Sequence, residues 1–333
     1  FDGSVSFQAL EPWYEARLKV FKSDVVSIVA LFYQRIPLHL DASGEMVFSG
    51  NSREFTGNGY LELKRGEAYG ETFDHGRVNA ELTTHRVSFS KVVLEKERTV
   101  VTGNGWIGFD GTYAATIDGR GTDLSRIDRL KPFFVSGPFT TEIRSSGSFT
   151  APVVKAQVNS EAMSYRNTNV GETTCTLDIE AGVLAVSAWI RDKSDNTLTG
   201  RGTMKLQRPF PWSLTTEIRA QAIDLASFGI SNELAVRSKI TLQGTSRFAG
   251  VGFDLGEISG SVLMTRIALS LGDYEIENQG IVALSIEDRK TSIRSLTLAG
   301  PGTKLAISGS SGFGNDLDIT LLGDANLSLL RGL

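Results

Sequence analysis

The residues in this sequence whose types and spacing most resemble a chemical site are three glycines. Gly103, Gly105 and Gly108, in the stretch TVVTGNGWIGFDG, spell G-x-G-x-x-G, and Asp123 follows Gly103 by 20 positions. In dinucleotide-binding folds this pattern follows a strand and opens a helix, and the acidic residue binds the ribose. The stretch is therefore a candidate nucleotide-binding loop.

The residues after the motif predict a strand instead of the helix whose N-terminus would hold a pyrophosphate. In YAATID, Tyr113, Ala115 and Ile117 alternate with the residues at 114, 116 and 118, and Gly119 and Gly121 follow, each of which would weaken a helix. We interpret the three glycines as lying between strands, and we expect no nucleotide or other cofactor.

Composition narrows the class of protein. The chain has 333 residues, 41% of them apolar, and a net charge of −4 with both signs mixed throughout, so a nucleic-acid partner is not expected. The single cysteine, Cys175, allows no disulfide framework, and the histidines at 39, 75 and 85 are too scattered to predict a metal site. The longest apolar run, residues 25–33, is too short to cross a bilayer, and the chain reads as a segment of a longer protein.

A feature recurs about every 100 residues. Asp24-Val25, Asp123-Leu124, Asp224-Leu225 and Asn326-Leu327 each close a segment of alternating strands, at spacings of 99, 101 and 102 residues. Gly103 and Gly105 have counterparts at Gly200 and Gly202 and again at Gly309 and Gly312, which a cofactor loop would not have. The sequence predicts one continuous unit, 1–333, with approximate repeats 1–42 (partial), 43–145, 146–242 and 243–333.

Apolar and polar residues alternate with a period of two through most of the chain, which predicts an antiparallel sheet with one apolar and one wet face. Short helices are predicted only near 122–130 and 224–228, and about 25 strands fit. The fold class is all-β: an elongated, curled sheet that forms a U-shaped apolar trough. The residues predicted to line that trough are Leu177, Ile179, Leu184, Val186, Ile218, Ile267, Leu269, Leu271, Ile319 and Leu321.

The last copy of the repeat resembles the TamB family of translocation and assembly module proteins, within the wider AsmA-like group of repeating β-groove, or β-taco, proteins. YEIENQG, IVALSIEDRKTSIRSLTLAG, GPGTKLAISG and LDITLLGDANLSLL carry the resemblance, which is clear over 240–333 and weaker over 1–240. It implies a periplasmic location, in a parent protein anchored to the inner membrane of a diderm bacterium. The family's membrane anchor and barrel-docking domain are not evident, so the chain is similar to a central segment.

The resemblance also implies a function. The expected role is a bridge-like lipid-transfer segment that shields phospholipid acyl chains between the inner and outer membranes. The alternative is a non-conducting β-rich scaffold that helps an outer-membrane β-barrel partner of the TamA or BamA type insert outer-membrane proteins. Both predict the same alternation, and they differ in whether the interior is open to a ligand.

An enzyme is the third interpretation. Asp and Glu residues are plentiful, but they occur as the polar members of alternating strands, as in LDIE and YEIE, instead of converging on one cleft. No nucleophile elbow, zinc motif or P-loop is present. We therefore expect that the chain has no catalytic activity.

Overall fold

The computed structural model describes residues 2–6, 13–24, 38–51, 53–224, 238–252, 257–271, 274–312 and 317–326. Within these residues the protein is all-β, with 23 antiparallel strands in one sheet and helix confined to two short 3-10 segments. The predicted all-β antiparallel fold class is confirmed, whereas the number of repeats stays a prediction. The chain divides into a first unit, residues 1–169 and 178–181, and a second unit, residues 170–177 and 182–333.

The first unit is a meander, in which consecutive long strands pair as antiparallel hairpins. Short strands β5 and β10 pair beside the ends of β4 and β12. Its strands are β1 Asp2–Ser6, β2 Trp13–Asp24, β3 Leu38–Gly50, β4 Phe55–Ala68, β5 Glu71–Phe73, β6 His75–Thr83, β7 Arg86–Lys96, β8 Thr99–Gly108, β9 Thr112–Gly121, β10 Val135–Ser136, β11 Phe139–Ser148 and β12 Ala151–Tyr165.

The two 3-10 helices lie between β9 and β10 and span Leu124–Arg126 and Asp128–Phe133. They coincide with the short helix expected near 122–130. The other expected helix, at 224–228, begins on the last residue of a strand, and the remainder of it lies outside the described residues. Asp123 caps the first 3-10 helix, since its carboxylate accepts hydrogen bonds from the backbone N–H groups of Ser125 (2.9 Å) and Gly137 (3.1 Å).

Strand β13, Thr168–Glu180, contains residues of both units. The second unit continues as a meander in which β19 pairs beside the end of β18. Its strands are β14 Val183–Arg191, β15 Thr197–Lys205, β16 Pro211–Asp224, β17 Ser238–Val251, β18 Ser259–Leu271, β19 Tyr274–Asn278, β20 Val282–Glu287, β21 Lys290–Gly300, β22 Thr303–Gly312 and β23 Leu317–Asp324.

The turns explain why the strands end where they do. Ala181 and Gly182, between β13 and β14, both have positive φ angles, 49° and 73°, as a two-residue hairpin turn requires. Asp288 and Arg289 repeat this geometry between β20 and β21, with φ angles of 49° and 60°. Such turns match the right-handed twist of the strands and fix the register of each hairpin.

The interpretation that Gly103, Gly105 and Gly108 lie between strands is wrong, because all three belong to strand β8. A β-carbon at Gly105 would lie 2.5 Å from the carbonyl oxygen of Ala114 on β9. The glycine thus permits close approach of neighbouring backbones inside the sheet. Propensity alone would have placed this glycine in a turn.

Register shifts bend several strands. In β7 the pairing with β8 skips between Phe89 and Val92, and in β21 the pairing with β22 skips between Ile293 and Leu296. Each shift is a bulge, which adds unpaired residues to one strand and increases its local twist. Bulges also change which residues share a face, so simple alternation does not extend through them.

Candidate functional site: the apolar face of the sheet

Side chains of directly opposed residues in an antiparallel pair point to the same face, so register defines the faces of each unit. In the second unit one row crosses nine strands, and the hydroxyls of its Thr216 and Ser246 bond to each other at 2.6 Å. Every other member is Gly, Ala or a branched aliphatic residue. The row is Ala188, Gly200, Thr216, Ser246, Val262, Leu284, Ile293, Gly309 and Ile319.

Rows on either side of this one are also apolar. Val186 opposes Gly202, which opposes Leu214, and Leu214 opposes Phe248. Toward the other end of the strands, Ile218 opposes both Leu198 and Gly244. The second unit therefore has a continuous apolar face.

Seven of the residues predicted to line the trough lie on this face. They include Leu269, which opposes Ile240 on β17 and Ile276 on β19, and Leu321, which opposes Ile307 on β22. The seven are Leu184, Val186, Ile218, Ile267, Leu269, Ile319 and Leu321.

The other three predicted residues are placed by backbone position. The hydroxyls of Thr176 and Ser187 lie 2.7 Å apart, so their neighbours Leu177 and Val186 point to the opposite side of their strands. Ile179 alternates with Leu177 on β13 and belongs to the first unit. Leu271 is opposed in register by Ser238 and Tyr274.

The first unit has an apolar face of the same kind. One row across β7, β8, β9, β11 and β12 consists of Val92, Gly103, Ile117, Ile143 and Ala156. At the far end of β3, Leu40 and Ala42 pack with Phe73 of β5 in a small buried cluster. This buried cluster covers the apolar face at this edge of the unit, whereas the rest of the face remains partly exposed to solvent.

The apolar faces remain partly exposed to solvent. The closest contacts of the described strands are chiefly with the strands that they pair with. Ten hydrophobic residues of the described chain are buried, whereas most side chains of the apolar rows are half-buried and Leu214 and Ile319 are exposed. An apolar sheet face that crosses this many strands and is partly exposed to solvent is a candidate binding surface for an apolar ligand.

Sequence reasoning missed much of this face. Leu214, Phe248, Val262 and Ile293 lie on it, but glycines and bulges interrupt the alternation around them. Met264 and Ile267 share the face although they are three residues apart, because the pairing of β17 with β18 shifts beside Gly244. A Gly in a strand that otherwise alternates was the available signal of such a shift.

The opposite face is polar and carries charges of both signs. On it Asp118 lies directly opposite Glu142, and Arg144 lies directly opposite Lys155. A shallow recess of about 580 Å³ on this face is lined by residues that include Asp118, Glu142 and Arg120. No group of three or more His, Cys, Asp or Glu residues in the described chain could hold a metal ion.

An ionic cluster fixes the second 3-10 helix to the edge of the first unit. The Lys96 ammonium group lies 2.8 Å from Glu71 and 2.6 Å from Asp128, and Asp128 also accepts from Lys131 and from the Thr72 hydroxyl. Hydrogen bonds from Lys131 and Lys96 hold the pKa of Asp128 well below its usual range. Burial alone would lower the pKa of Lys96, but the two carboxylates outweigh it and raise that pKa.

Two residues singled out in the sequence have structural roles. Burial alone would raise the pKa of the Asp123 carboxyl, but the hydrogen bonds that cap the helix outweigh burial and lower it. Cys175 is half-buried, and desolvation raises the pKa of its thiol. Both observations describe local packing and hydrogen bonding.

Comparisons with known proteins add no family: no protein-family model, curated protein or solved structure matches the chain. In the described part of the chain, no helix has both the length and the apolar character needed to cross a bilayer. The apolar face and the sequence resemblance are therefore the features that bear on function.

Proposed function

We propose that this chain is a bridge-like lipid-transfer segment whose apolar face shields phospholipid acyl chains as they pass between two membranes. The observation that supports it is the apolar face, which runs from strand to strand in each unit and leaves side chains such as Leu214 and Ile319 exposed. An acyl chain needs a continuous apolar lining and no specific polar clamp. No catalytic step is part of the proposal.

The resemblance to the TamB family supplies the cellular setting of the proposal. The parent protein is periplasmic, anchored in the inner membrane, and works with an outer-membrane β-barrel partner through regions outside this chain. The competing proposal is a scaffold that has the same sheet and carries no lipid. On the apolar face, Thr216 and Ser246 satisfy each other, so this pair leaves no unpaired group for a hydrocarbon chain to desolvate.

Mass spectrometry of lipid that copurifies with the protein tests the proposal. The protein is purified without detergent, and its extracted lipids are quantified per mole of chain. Lipid carriage predicts diacyl phospholipid at near-stoichiometric or higher ratios, with several headgroup types, because the proposed contacts are with the acyl chains. Protein that is folded, as judged by circular dichroism, and free of lipid would identify the chain as a scaffold.

A further inference from the structure

Four aromatic side chains project from one edge of the first unit, where β4, the second 3-10 helix and β12 end. Their exposed fractions are 60% for Tyr69, 62% for Phe133, 61% for Phe134 and 46% for Tyr165. Isolated exposed aromatics are ordinary on protein surfaces, but a group that shares one edge marks an interaction site.

Two arginines contact these residues. The Arg166 guanidinium carbon lies 5.5 Å from the ring centroids of both Phe134 and Tyr165. Arg129 donates from Nε and Nη2 to the Tyr69 carbonyl oxygen, at 3.0 and 2.6 Å, and belongs to the 3-10 helix that ends at Phe133. We call this set, Tyr69, Arg129, Lys131, Phe133, Phe134, Tyr165 and Arg166, the aromatic rim.

The charge of the aromatic rim is locally positive in a chain of net charge −4. Asp128 and Glu71, the nearest carboxylates in the ionic cluster, are bound by Lys96, and Asp128 also pairs with Lys131. Among the described residues, the ion pairs at the second 3-10 helix are those of Lys96 and Lys131, and neither Arg129 nor Arg166 takes part in one. The rim therefore presents apolar rings together with two guanidinium groups, whose remaining N–H donors are oriented by their contacts.

The backbone holds one of the rings in an unfavourable conformation. Phe134 has a φ angle of 55°, in the left-handed region that disfavours a residue with a large side chain. Its N–H donates to the Lys131 carbonyl oxygen (3.2 Å), and its own carbonyl accepts from the Arg166 N–H (2.9 Å). These bonds stabilise a conformation in which the ring of Phe134 is 61% exposed.

We propose that the aromatic rim is a docking site for the surface of a phospholipid bilayer that contains anionic headgroups. Aromatic rings insert at the level of the headgroups, and Arg and Lys side chains are attracted to anionic lipid, as in interfacial membrane anchors. An acidic protein surface would neutralise the cations but would supply no apolar layer for the four rings, each of which is more than two-fifths exposed in this chain. Docking at the aromatic rim is independent of the proposed lipid carriage, because it requires no lipid on the apolar face.

Vesicle flotation tests this docking. The full chain is mixed with vesicles of phosphatidylcholine alone or with 30% phosphatidylglycerol, and the bound fraction gives a partition coefficient. We expect binding to the anionic vesicles, weakened by 0.5 M NaCl. Phe134→Gly is the central variant, because glycine readily adopts a φ angle of 55° and only the ring is lost; we expect a reduction of about tenfold. Arg166→Gln should reduce binding about fivefold.

Phe109→Ser is the matched control, since Phe109 is also exposed, at 42%, and follows β8 at the opposite end of the strands. It should bind as the parent protein does. Failure of the parent protein to float with anionic vesicles would overturn the proposal, as would equal losses in the Phe109 and Phe134 variants. Binding to immobilised poly-glutamate without binding to vesicles would assign the rim to an acidic protein and would also overturn it. Each outcome is independent of whether lipid copurifies with the protein.

Discussion

Leu269 and Ser270 are neighbours in strand β18, and the surroundings of their side chains differ completely. Leu269 is opposed by Ile240 and Ile276, whereas Ser270 is opposed by Lys239 and Glu275. The same contrast recurs on β16, where Leu214 faces Phe248 and Thr215 faces Arg247. One strand therefore serves an apolar face and a hydrated face at once, because successive side chains point in opposite directions.

The difference between the two faces shows which of them needs a partner. Charged and hydroxyl side chains on the polar face are satisfied by water and by one another, as in the pair of Glu217 with Arg219. The side chains of the apolar face cannot form such bonds, and its half-buried aliphatic groups remain in contact with water. Acyl chains that cover this face would remove that cost, and the account predicts that every perturbation of lipid carriage depends on the face that is changed.

The largest difference between the faces is expected for an added charge. In the full-length parent protein, Leu269→Asp places a carboxylate against hydrocarbon, which costs roughly 2.5–3.5 kcal/mol and lowers local acyl occupancy about a hundredfold. Ser270→Asp, beside Lys239, should change occupancy little. Phospholipid transport and protein abundance are followed for both variants. A stable Leu269→Asp protein that transports lipid normally would exclude acyl passage along this strand.

The next effect separates tight from open parts of the apolar face. A β-carbon at Gly105 would meet the Ala114 carbonyl oxygen at 2.5 Å, whereas one at Gly200 would meet nothing within 4 Å. We expect Gly105→Ala to destabilise the chain by about 1–3 kcal/mol and Gly200→Ala to be neutral or stabilising by up to ~1 kcal/mol. Denaturant unfolding measures both. Equal losses would mean that the space at Gly200 is already filled.

The alternation of residues predicted the fold class because the side-chain period of a strand is visible in sequence. LDITLLG pairs without a register shift, and in TRIALSLG the shift lies at Thr265, ahead of the alternating residues. Alternation alone therefore assigned Ile319 and Leu321, and Ile267 and Leu269, to one face. Bulges could not be predicted, because they depend on the partner strand, so residues such as Met264 were missed. The aromatic rim could not be predicted either, since Tyr69 and Tyr165 are far apart in sequence and meet only through pairing and the 3-10 helices.

A smaller effect concerns the edge where the apolar face of the first unit is closed. Here the ionic cluster of Glu71, Lys96 and Asp128 holds the second 3-10 helix, whereas the edge of the second unit uses neutral hydrogen bonds from Tyr274 and Asn326 to Thr303. The pKa of Asp128 is lowered in the fold, so its stabilising effect is present above the unfolded pKa near 3.9 and is lost progressively as pH falls from there toward the folded pKa. The pKa of Lys96 is raised, so its effect is present below about pH 10.4 and is lost as pH rises further.

Hydrogen exchange of the full chain distinguishes the two edges. Between pH 7 and pH 3, after correction for intrinsic rates, protection of residues 122–137 should fall about fivefold, and protection of residues 298–306 should hold. Asp128→Asn should reproduce that loss at pH 7, at a cost of about 1 kcal/mol for a partly exposed ion pair. A parallel loss at both edges would show that the ionic cluster is not what fixes the 3-10 helix.

Site-specific photo-crosslinking to lipid tests the central claim most directly. Leu214 and Thr215 are adjacent on β16, both are exposed, and they point to opposite faces, so solvent access is matched and only the face differs. A photoreactive phenylalanine analogue is placed at each position in the full-length parent protein, and crosslinked phospholipid is quantified in cells. The account predicts crosslinks at position 214 and few at position 215, with the same contrast between Ile319 and Thr320 on β23. Equal crosslinking on the two faces, or none on either, would contradict lipid carriage by the apolar face.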